Sequence, residues 1–180
     1  MNMNKVIIVR YGHRMIRDRR MSTHIALIAR ALGADGMILT NYRSEKVQDT
    51  IKNVNERWGG DFFVEMGIDW RELMKQIKHR DDVLVHLTMY EIEIDKEVVD
   101  NIKKTPRDIY ILVGSQKVPA EVYSKADYNI AISHQPQSEC GALSIFLDRF
   151  FEGKTLYQQF DDAKLRIIPK AHGKEVKKLE

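Results

Sequence analysis

The densest cluster of anion-binding residue types follows the first apolar run of the sequence. Residues 10–20 contain five arginines and a single acid, Asp18. The segment leads into a predicted helix whose N-terminal N–H groups also attract anions. It therefore predicts a site for a polyphosphate or an RNA backbone, whereas the alternative is a solvated loop with a few surface ion pairs. Its position after a predicted central strand favours the binding site, because open α/β sheets bind ligands at the carboxyl ends of their strands.

Two further polar segments follow predicted strands. Residues 114–119 begin with a glycine, which lets a ligand approach the backbone closely, although an ordinary strand-to-helix turn would have the same composition. Residues 133–139 are all polar or proline and precede an apolar helix, where Ser133 or Ser138 can equally serve as the helix cap. The ten glycines form neither G-x-G-x-x-G nor G-x-x-x-x-G-K-[ST], which disfavours a dinucleotide fold and a P-loop nucleotidase. Together, the three segments predict one ligand site.

Patterns typical of strands and helices alternate along the chain. The strands and helices that they predict must position these segments. Short apolar runs bounded by turn residues predict strands at 6–9, 37–39, 62–64, 83–87, 109–113 and 128–132. Helical segments are predicted at 22–32, 44–58, 69–78, 95–104 and 138–151, with Ser22 or Thr23, Ser44 and Asp69 as N-caps. Such alternation is typical of βαβ units and predicts an α/β fold, a parallel sheet with helices on both faces.

The last long helix, residues 138–151, is apolar on more than one side. A helix of this kind is buried on several sides. Because the sheet covers one side, we expect a second protomer to cover another, and burial beneath the C-terminal segment is the alternative. After Gly153 the pattern changes to a short apolar strand, a turn and a basic end, which predict a hairpin-like appendage. We therefore divide the chain into a main domain, 1–153, and an extension, 154–180.

Composition restricts the class of protein. With 180 residues, 43% of them hydrophobic, the chain can bury one core, which excludes a disordered protein. No apolar run approaches the ~20 residues that span a bilayer, which excludes a membrane protein. The sequence reaches Arg10 before a signal-peptide hydrophobic region develops, so we expect a cytoplasmic protein. A lone cysteine, Cys140, can form neither an internal disulfide nor a multi-cysteine zinc site.

The formal net charge of +3 conceals an uneven distribution. Residues 1–24 carry six basic side chains against one acid, and residues 163–180 carry six against two, whereas the middle of the chain is acidic. We expect both basic ends to lie beside the ligand pocket, where the phosphates of an RNA would need them.

Three motifs together resemble one family nearly from end to end of the chain. The first motif is Gly12-His13-Arg14 with Arg17-Asp18, Arg20 and Thr23-His24; the second is Gly114 with Lys117-Val118-Pro119; the third is Gln135-Pro136 with Ser138-Glu139. The segment from His86 to Tyr90 also matches. This combination resembles the archaeal tRNA (cytidine-56)-2'-O-methyltransferases, members of the SPOUT class of S-adenosylmethionine enzymes.

The chain departs from the usual pattern of that family at four positions. Met15 stands where members usually have proline, Glu91 where they have glycine, His134 where they have asparagine and Gln137 where they have histidine. The last two lie in the expected cofactor loop. Contacts that this loop makes through backbone atoms would survive both substitutions.

The resemblance implies a fold that residue patterns alone do not predict. Members of the class form a deep trefoil knot in the C-terminal part of the sheet domain (the SPOUT, or α/β-knot, fold), although threading of this kind is essentially absent from other proteins. The resemblance also implies a homodimer and a small C-terminal β-hairpin extension. The S-adenosylmethionine pocket would be formed by Leu87, Gly114, Ser115, Gln116, Lys117, Val118, Ile132, Ser133, His134, Gln135, Pro136, Gln137, Ser138 and Glu139.

The activity that the resemblance implies is transfer of a methyl group from S-adenosylmethionine to the ribose 2'-hydroxyl of cytidine 56, in the T-loop of tRNA. Arg20, or alternatively Arg14, would bind the adjacent phosphate and stabilise negative charge on the oxygen. His24 would serve as the base or orient one of the arginines. This chemistry requires no metal. The alternatives are 2'-O-methylation of another RNA nucleotide and a non-catalytic RNA-binding α/β domain.

Overall fold

Strands and helices alternate along most of the chain. The computed structural model describes residues 4–12, 18 and 20–179. In order, the elements are β1 (Val6–Tyr11), α1 (Met21–Ala31), β2 (Gly36–Leu39), α2 (Glu45–Trp58), β3 (Phe63–Met66), α3 (Trp70–His79), β4 (Val83–Thr88), β5 (Ile92–Glu93), α4 (Lys96–Lys103), β6 (Ile109–Gly114), α5 (Ala120–Lys125), β7 (Tyr128–Ala131), α6 (Glu139–Phe150), β8 (Leu165–Ile167) and β9 (Val176–Lys178). A 3₁₀ turn, Lys154–Tyr157, follows α6.

The main sheet is parallel, as predicted. Its strands lie in the order β3-β2-β1-β6-β4-β7-β5, and all of their pairings are parallel. Strand β1 lies in the middle, with Ile8 opposite Met37 of β2 and Ile111 of β6. Every residue of β1 is buried, because helices cover both faces of the sheet. The carboxyl ends of β1, β4, β6 and β7 therefore meet at one edge.

Two apolar layers hold the helices on the sheet. One face packs against α1, α2, α4 and α6, with Ile8 and Phe146 fully buried at its centre. The other packs against α3 and α5, through residues such as Leu73 and Val122. Burying one such side chain contributes about 1.5–3 kcal/mol, so these layers fix how the strand ends lie relative to one another.

Polar caps begin most of the long helices where the sequence predicts them. Ser44 Oγ accepts from Val47 N at 3.4 Å, and Asp69 Oδ1 accepts from Arg71 N at 2.9 Å. The first helix differs, because α1 begins at Met21 with Arg20 in the N-cap position and no side-chain cap. The predicted cap at Ser22 or Thr23 is therefore wrong, since both residues lie inside the helix.

The sequence patterns do not predict three short elements. They are the six-residue helix α5, the two-residue strand β5 and the 3₁₀ turn after α6. None of them is long enough to show a helical or strand period, and Ile92 of β5 is 51% exposed. Strand β5 pairs with β7 at the edge of the sheet.

The C-terminal extension forms an antiparallel two-stranded sheet, with Arg166 opposite Lys177. It docks on the end of α2, where Lys164 N donates to Arg57 O at 3.1 Å and Gly60 N donates to Asp162 Oδ1 at 2.9 Å. These contacts lie at the amino edge of the sheet, about 20 Å, or one six-residue strand, from the carboxyl edge. Within one subunit, the expectation that this basic end lies beside the pocket is therefore wrong.

Helix α6 is covered by more than the sheet. It packs between α1 and α4 and against β6, and the 3₁₀ turn also contacts it. Neighbouring helices of the same subunit therefore cover sides of α6 for which the sequence predicts a second protomer. Ile145 nevertheless remains 42% exposed. No helix in the described part of the chain is long and apolar enough to cross a membrane.

Candidate active site

A cavity of about 530 Å³ opens at the carboxyl edge of the sheet. Three loops form its walls, those that follow β4, β6 and β7. The lining residues are His86 to Tyr90, Val113 to Val118, Tyr123, Ser133, Gln135 to Glu139 and Ala142. This volume is typical of sites for small organic ligands.

The loop after β6 forms one wall through a tight turn. A Cβ at Gly114 would lie 2.5 Å from Val118 Cγ2, so only glycine permits this approach. Ser115 N donates to Tyr11 O at 2.9 Å, which ties the loop to the end of β1. A Cβ at Gly12 would lie 3.0 Å from Gln116 Cγ, so the segment that follows β1 begins against this wall.

The loop after β7 forms the opposite wall and is held by its own side chains. Ser133 has a φ of +90°, and its Oγ accepts from Gln135 N at 3.2 Å. Gln137 Nε2 donates to Ile132 O, which closes the loop. Ser138 Oγ accepts from Cys140 N at 3.2 Å, so Ser138 caps α6, as one interpretation of the sequence predicts. The loop thereby presents mostly backbone and neutral polar groups.

The segment after β4 crosses the end of β7. His134 Nδ1 donates to Met89 O at 3.0 Å and joins the two loops. Glu91, in the same segment, has a φ of +71°. This left-handed conformation favours glycine, which explains why the family pattern has glycine there. His134 and Gln137, two of the departures from that pattern, both hold the loops together.

His86 forms the buried floor of the cavity. The residue is 1% exposed, and its Nδ1 lies 2.9 Å from Asn129 Oδ1. Its ring packs edge-to-face on Tyr123 with centroids 4.6 Å apart, and Tyr123 OH lies 3.0 Å from Thr88 Oγ1. Burial lowers the pKa of His86 below its usual value, which keeps the imidazole neutral.

Arg10 is not part of an exposed arginine loop. It lies at the end of β1 with none of its side chain exposed, and its Nη2 is 3.8 Å from Glu139 Oε1. Of the five arginines in 10–20, this one is therefore unable to contact RNA. It instead links β1 to the start of α6 beside the cavity.

Of the predicted catalytic residues, Arg20 and His24 are described, and neither lines the cavity. Arg20 and His24 are exposed, at the start of α1. The Cys140 thiol contacts Met21 Sδ at 3.3 Å, so α1 and α6 begin next to each other. Arg14 lies outside the described residues, as do His13, Arg17 and Arg19. The start of α1 thus adjoins the rim of the cavity, next to Glu139.

The predicted pocket residues line the cavity with two exceptions. Ile132 is 3% exposed, and His134 contacts Met89 and Glu93 instead of lining it. The prediction did not include His86, Thr88, Met89, Tyr90, Val113, Tyr123 and Ala142. The match of 86–90 to the family motifs could have identified that segment. Tyr123 belongs to α5, a helix that the hydrophobic pattern does not predict.

A metal centre is not evident in the part of the chain that the structure describes. No group of three or more His, Cys, Asp or Glu side chains there converges on a common point.

Comparisons with known proteins agree with this geometry. The family model described as "tRNA ribose 2'-O-methyltransferase, aTrm56" matches residues 58–177. A protein of Staphylothermus marinus named tRNA (cytidine(56)-2'-O)-methyltransferase is 50% identical over 175 residues, which cover 97% of this chain and 94% of that protein.

Two solved structures show the same fold. The SpoU methyltransferase AviRb from Streptomyces viridochromogenes, solved with the cofactor AdoMet, has a TM-score of 0.60 and 14% identity over 84% of this chain. This chain covers 58% of the AviRb chain. The A. aeolicus TrmH/SpoU tRNA modifying enzyme has a TM-score of 0.57 and 16% identity, and the match covers 89% of this chain and 81% of that one.

These findings confirm the α/β fold with a parallel sheet and the methyltransferase class predicted from the motifs. The match to the family model covers more than half of the chain, and the relative is similar over nearly its whole length. The chain belongs to the tRNA ribose 2'-O-methyltransferase family.

Proposed function

We propose that this protein transfers a methyl group from S-adenosylmethionine to the ribose 2'-hydroxyl of cytidine 56 in tRNA. The observation that carries the proposal is the full-length similarity to a protein named for that reaction, at 50% identity. A cavity formed by the loops that carry the second and third motifs supports it. A tRNA substrate also supports the cytoplasmic location, which stays a prediction.

The cavity residues fit S-adenosylmethionine. The volume suits a ligand of this size, Gly114 leaves room for a close turn, and the walls offer backbone and neutral polar groups. When bound, the cofactor supplies a sulfonium methyl group, whose carbon bonds to the 2'-oxygen as the carbon–sulfur bond breaks. Leu87, Gly114 to Val118 and Ile132 to Glu139 remain the proposed contacts. We propose that no metal takes part.

Arg20 is the proposed group that activates the hydroxyl, with Arg14 as the alternative. A guanidinium bound to the adjacent phosphate stabilises negative charge on the 2'-oxygen as its proton leaves. His24, one turn along α1, is the proposed base or the residue that orients the arginine. The contact between Met21 and Cys140 supports this location, because it keeps the start of α1 near the cavity rim. The arginine acts either on its own subunit or across a dimer.

We propose that tRNA contacts both basic ends of the protein. Arg20 adjoins the carboxyl edge, whereas Lys164, Arg166 and Lys177 lie on the extension at the amino edge. An RNA duplex is longer than the ~20 Å between these edges, so one tRNA can bridge them through its phosphates.

A deep trefoil knot is the proposed topology of the carboxyl edge. The chain passes from β4 to β5, which lies on the far side of β7, and α6 follows β7. The hydrogen bond from His134 to Met89 O joins the two segments at the crossing. This arrangement supports threading of residues 132–138 through the loop formed by 88–95.

We propose that the domain boundary lies at Gly153.

A homodimer is the proposed assembly. Apolar side chains remain exposed along α6 and the following turn, with Ile145 at 42%, Leu156 at 61% and Tyr157 at 85%. A second subunit packed on this surface would remove them from water. Light scattering gives the mass directly. A monomeric mass at micromolar concentration rejects the dimer.

Methylation of an unmodified tRNA transcript with labelled S-adenosylmethionine tests the function. We expect one 2'-O-methyl group at cytidine 56, and Arg20→Ala abolishes it while calorimetry still detects cofactor binding. A mark on another nucleotide keeps the enzyme class and changes the substrate. If the wild-type protein neither methylates tRNA nor binds the cofactor, the proposal is wrong and a non-catalytic RNA-binding domain is the remaining interpretation.

A further inference from the structure

We propose that His86 determines base specificity in the cofactor pocket, because its Nε2 accepts a hydrogen bond from the exocyclic amino group of the adenine. The inference rests on the proposed function, since it concerns the same cavity. It assigns a side-chain contact to a residue that lies outside the three family motif loops.

The orientation of the Asn129 amide fixes which ring nitrogen of His86 carries the proton. Asn129 Nδ2 donates to Tyr123 O at 2.8 Å, so the amide oxygen must face the other way. That oxygen lies 2.9 Å from His86 Nδ1. Because a carbonyl oxygen only accepts, His86 Nδ1 must donate, and the proton of the neutral ring lies on Nδ1.

The second ring nitrogen is therefore an acceptor. His86 is 1% exposed, and burial lowers its pKa, so Nε2 keeps its lone pair at neutral pH. The hydrogen bond at Nδ1 is the one that this ring makes with the described residues, so none of them donates to Nε2. Nε2 is also not fully enclosed by protein atoms. His86 lines the cavity, so a ligand can supply the donor.

The chemistry of Nε2 selects among the groups of S-adenosylmethionine. A lone pair cannot bind the carboxylate or the unprotonated ring nitrogens of adenine, because these groups also accept. The charged ammonium is better placed near the exposed rim, where Gln135 and Pro136 lie, than beside Leu87 and Val113 on the buried floor. The ribose hydroxyls and the adenine amino group are both neutral donors, and a 6-oxo analogue distinguishes them, because only the adenine contact depends on the 6-amino group. The adenine is the flat, neutral part of the molecule, so we assign the floor to the base.

This contact gives the pocket a means to reject inosine. In a 6-oxo base, an oxygen replaces the amino group and two acceptors face each other. Sites that hydrogen-bond a substrate group reject analogues that lack it, because a buried polar group is left unpaired. His86 thus discriminates a 6-amino from a 6-oxo purine.

Calorimetry with S-adenosylhomocysteine and S-inosylhomocysteine tests the inference on two matched variants. His86→Gln keeps an oxygen near the position of Nε2, and its amide can also turn to donate to the 6-oxo group. The shorter asparagine side chain in His86→Asn places its amide group only near the position of Nδ1. Tyr110→Phe is the control, because it removes a partly buried hydrogen bond, from Arg80 Nη2 at 2.8 Å, outside the cavity.

We expect His86→Asn to weaken S-adenosylhomocysteine binding roughly 10-fold and to reduce the preference for the adenine analogue. His86→Gln keeps that affinity within about threefold and also loses the preference. Tyr110→Phe changes neither. In the wild-type protein, the ¹⁵N resonance of Nε2 has the shift of an unprotonated nitrogen and moves when ligand binds.

Three outcomes overturn the inference. They are a preference that survives in both variants, a His86→Gln affinity as low as that of His86→Asn, and a resonance that shows the proton on Nε2. Wild-type protein that binds S-adenosylhomocysteine without preferring it over the 6-oxo analogue also overturns it. Wild-type protein that binds neither analogue contradicts the proposed function instead.

Discussion

The two edges of the main sheet carry cavities of nearly equal size and different chemistry. The cavity at the carboxyl edge measures about 530 Å³ and is lined by His86, by apolar side chains such as Leu87 and Val113, and by polar side chains that include Lys117 and Glu139. The one at the amino edge measures about 500 Å³ and is lined by Trp58, Phe160, Arg30 and residues of the C-terminal extension. Volume alone therefore does not identify the cofactor site.

The difference lies in what holds each cavity open. At the carboxyl edge, glycine and left-handed residues bring three loops together, and several polar groups face the space between them. At the amino edge, Arg30 binds Asn55 Oδ1 at 2.8 Å and its guanidinium lies 4.9 Å from the centre of the Phe160 ring. There the polar side chain fastens the extension to the domain. We propose that the first edge binds the ligand, whereas contacts at the second edge dock the C-terminal extension on the main domain.

Gly114→Val should have the largest effect, and only at the carboxyl edge. A Cβ there would lie 2.5 Å from Val118 Cγ2, so the loop after β6 must move. Overpacking of this kind costs about 3 kcal/mol, or roughly 100-fold in affinity for S-adenosylmethionine. Calorimetry measures the loss. Unchanged affinity in a folded variant would move the cofactor site away from this loop.

Gly59→Ala should destabilise the amino edge and leave the carboxyl edge unchanged. Gly59 has a φ of +79°, and a Cβ there would lie 2.6 Å from Phe160 Cβ and 2.8 Å from Ala163 N. We expect a loss of about 2 kcal/mol of stability and faster proteolysis within 154–180. Cofactor affinity should stay within twofold, because the carboxyl edge is untouched. An affinity that falls in parallel with stability would show that the two edges are coupled.

Acid should destabilise the protein through His86 at the carboxyl edge. Burial lowers the folded-state pKa of His86, so the unfolded chain binds the proton more readily. The stability that neutral His86 contributes is present above its ordinary pKa and is lost as pH falls through the folded pKa. Each pKa unit of difference corresponds to about 1.4 kcal/mol. Urea melts between pH 8 and 5 should show a steeper decline for wild type than for His86→Gln, whereas equal slopes would show that His86 protonates freely.

Glu91→Gly should produce the smallest change, a gain in stability. The φ of +71° at Glu91 is unfavourable for a side chain and free of strain for glycine. Relief of this strain is worth about 0.5–1 kcal/mol after the greater flexibility of the unfolded chain is counted, or roughly 1–4 °C in Tm. Thermal melts measure the shift. A lower Tm would mean that the Glu91 side chain itself stabilises the crossing over β7.

Sequence patterns predicted the main sheet because its strands are continuous apolar runs. Val6 to Val9 and Ile109 to Val113 can be buried on both faces only in a parallel sheet, and the structure confirms it. Helix α5 and strand β5 were missed because six and two residues carry no period. The start of α1 was predicted wrongly because Arg20, not a serine or threonine, occupies the N-cap position.

The carboxyl-edge site was predictable because each loop follows its own strand along the chain. The rule that ligands bind at strand ends then brings Gly114 and Ser133 to one place. The amino-edge cavity was not predictable, because it joins Arg30, Trp58 and Phe160, which are far apart in sequence. The role of Arg10 was also missed, since only the fold shows that an arginine next to four others is fully buried.

Hydrogen exchange with and without S-adenosylhomocysteine tests the central claim most directly, because it compares both edges in one experiment. We expect the ligand to protect residues 86–90, 113–118 and 133–139, and to leave 30–32 and 155–167 unchanged. Protection confined to 30–32 and 155–167 would contradict the assignment of the cofactor site to the carboxyl edge.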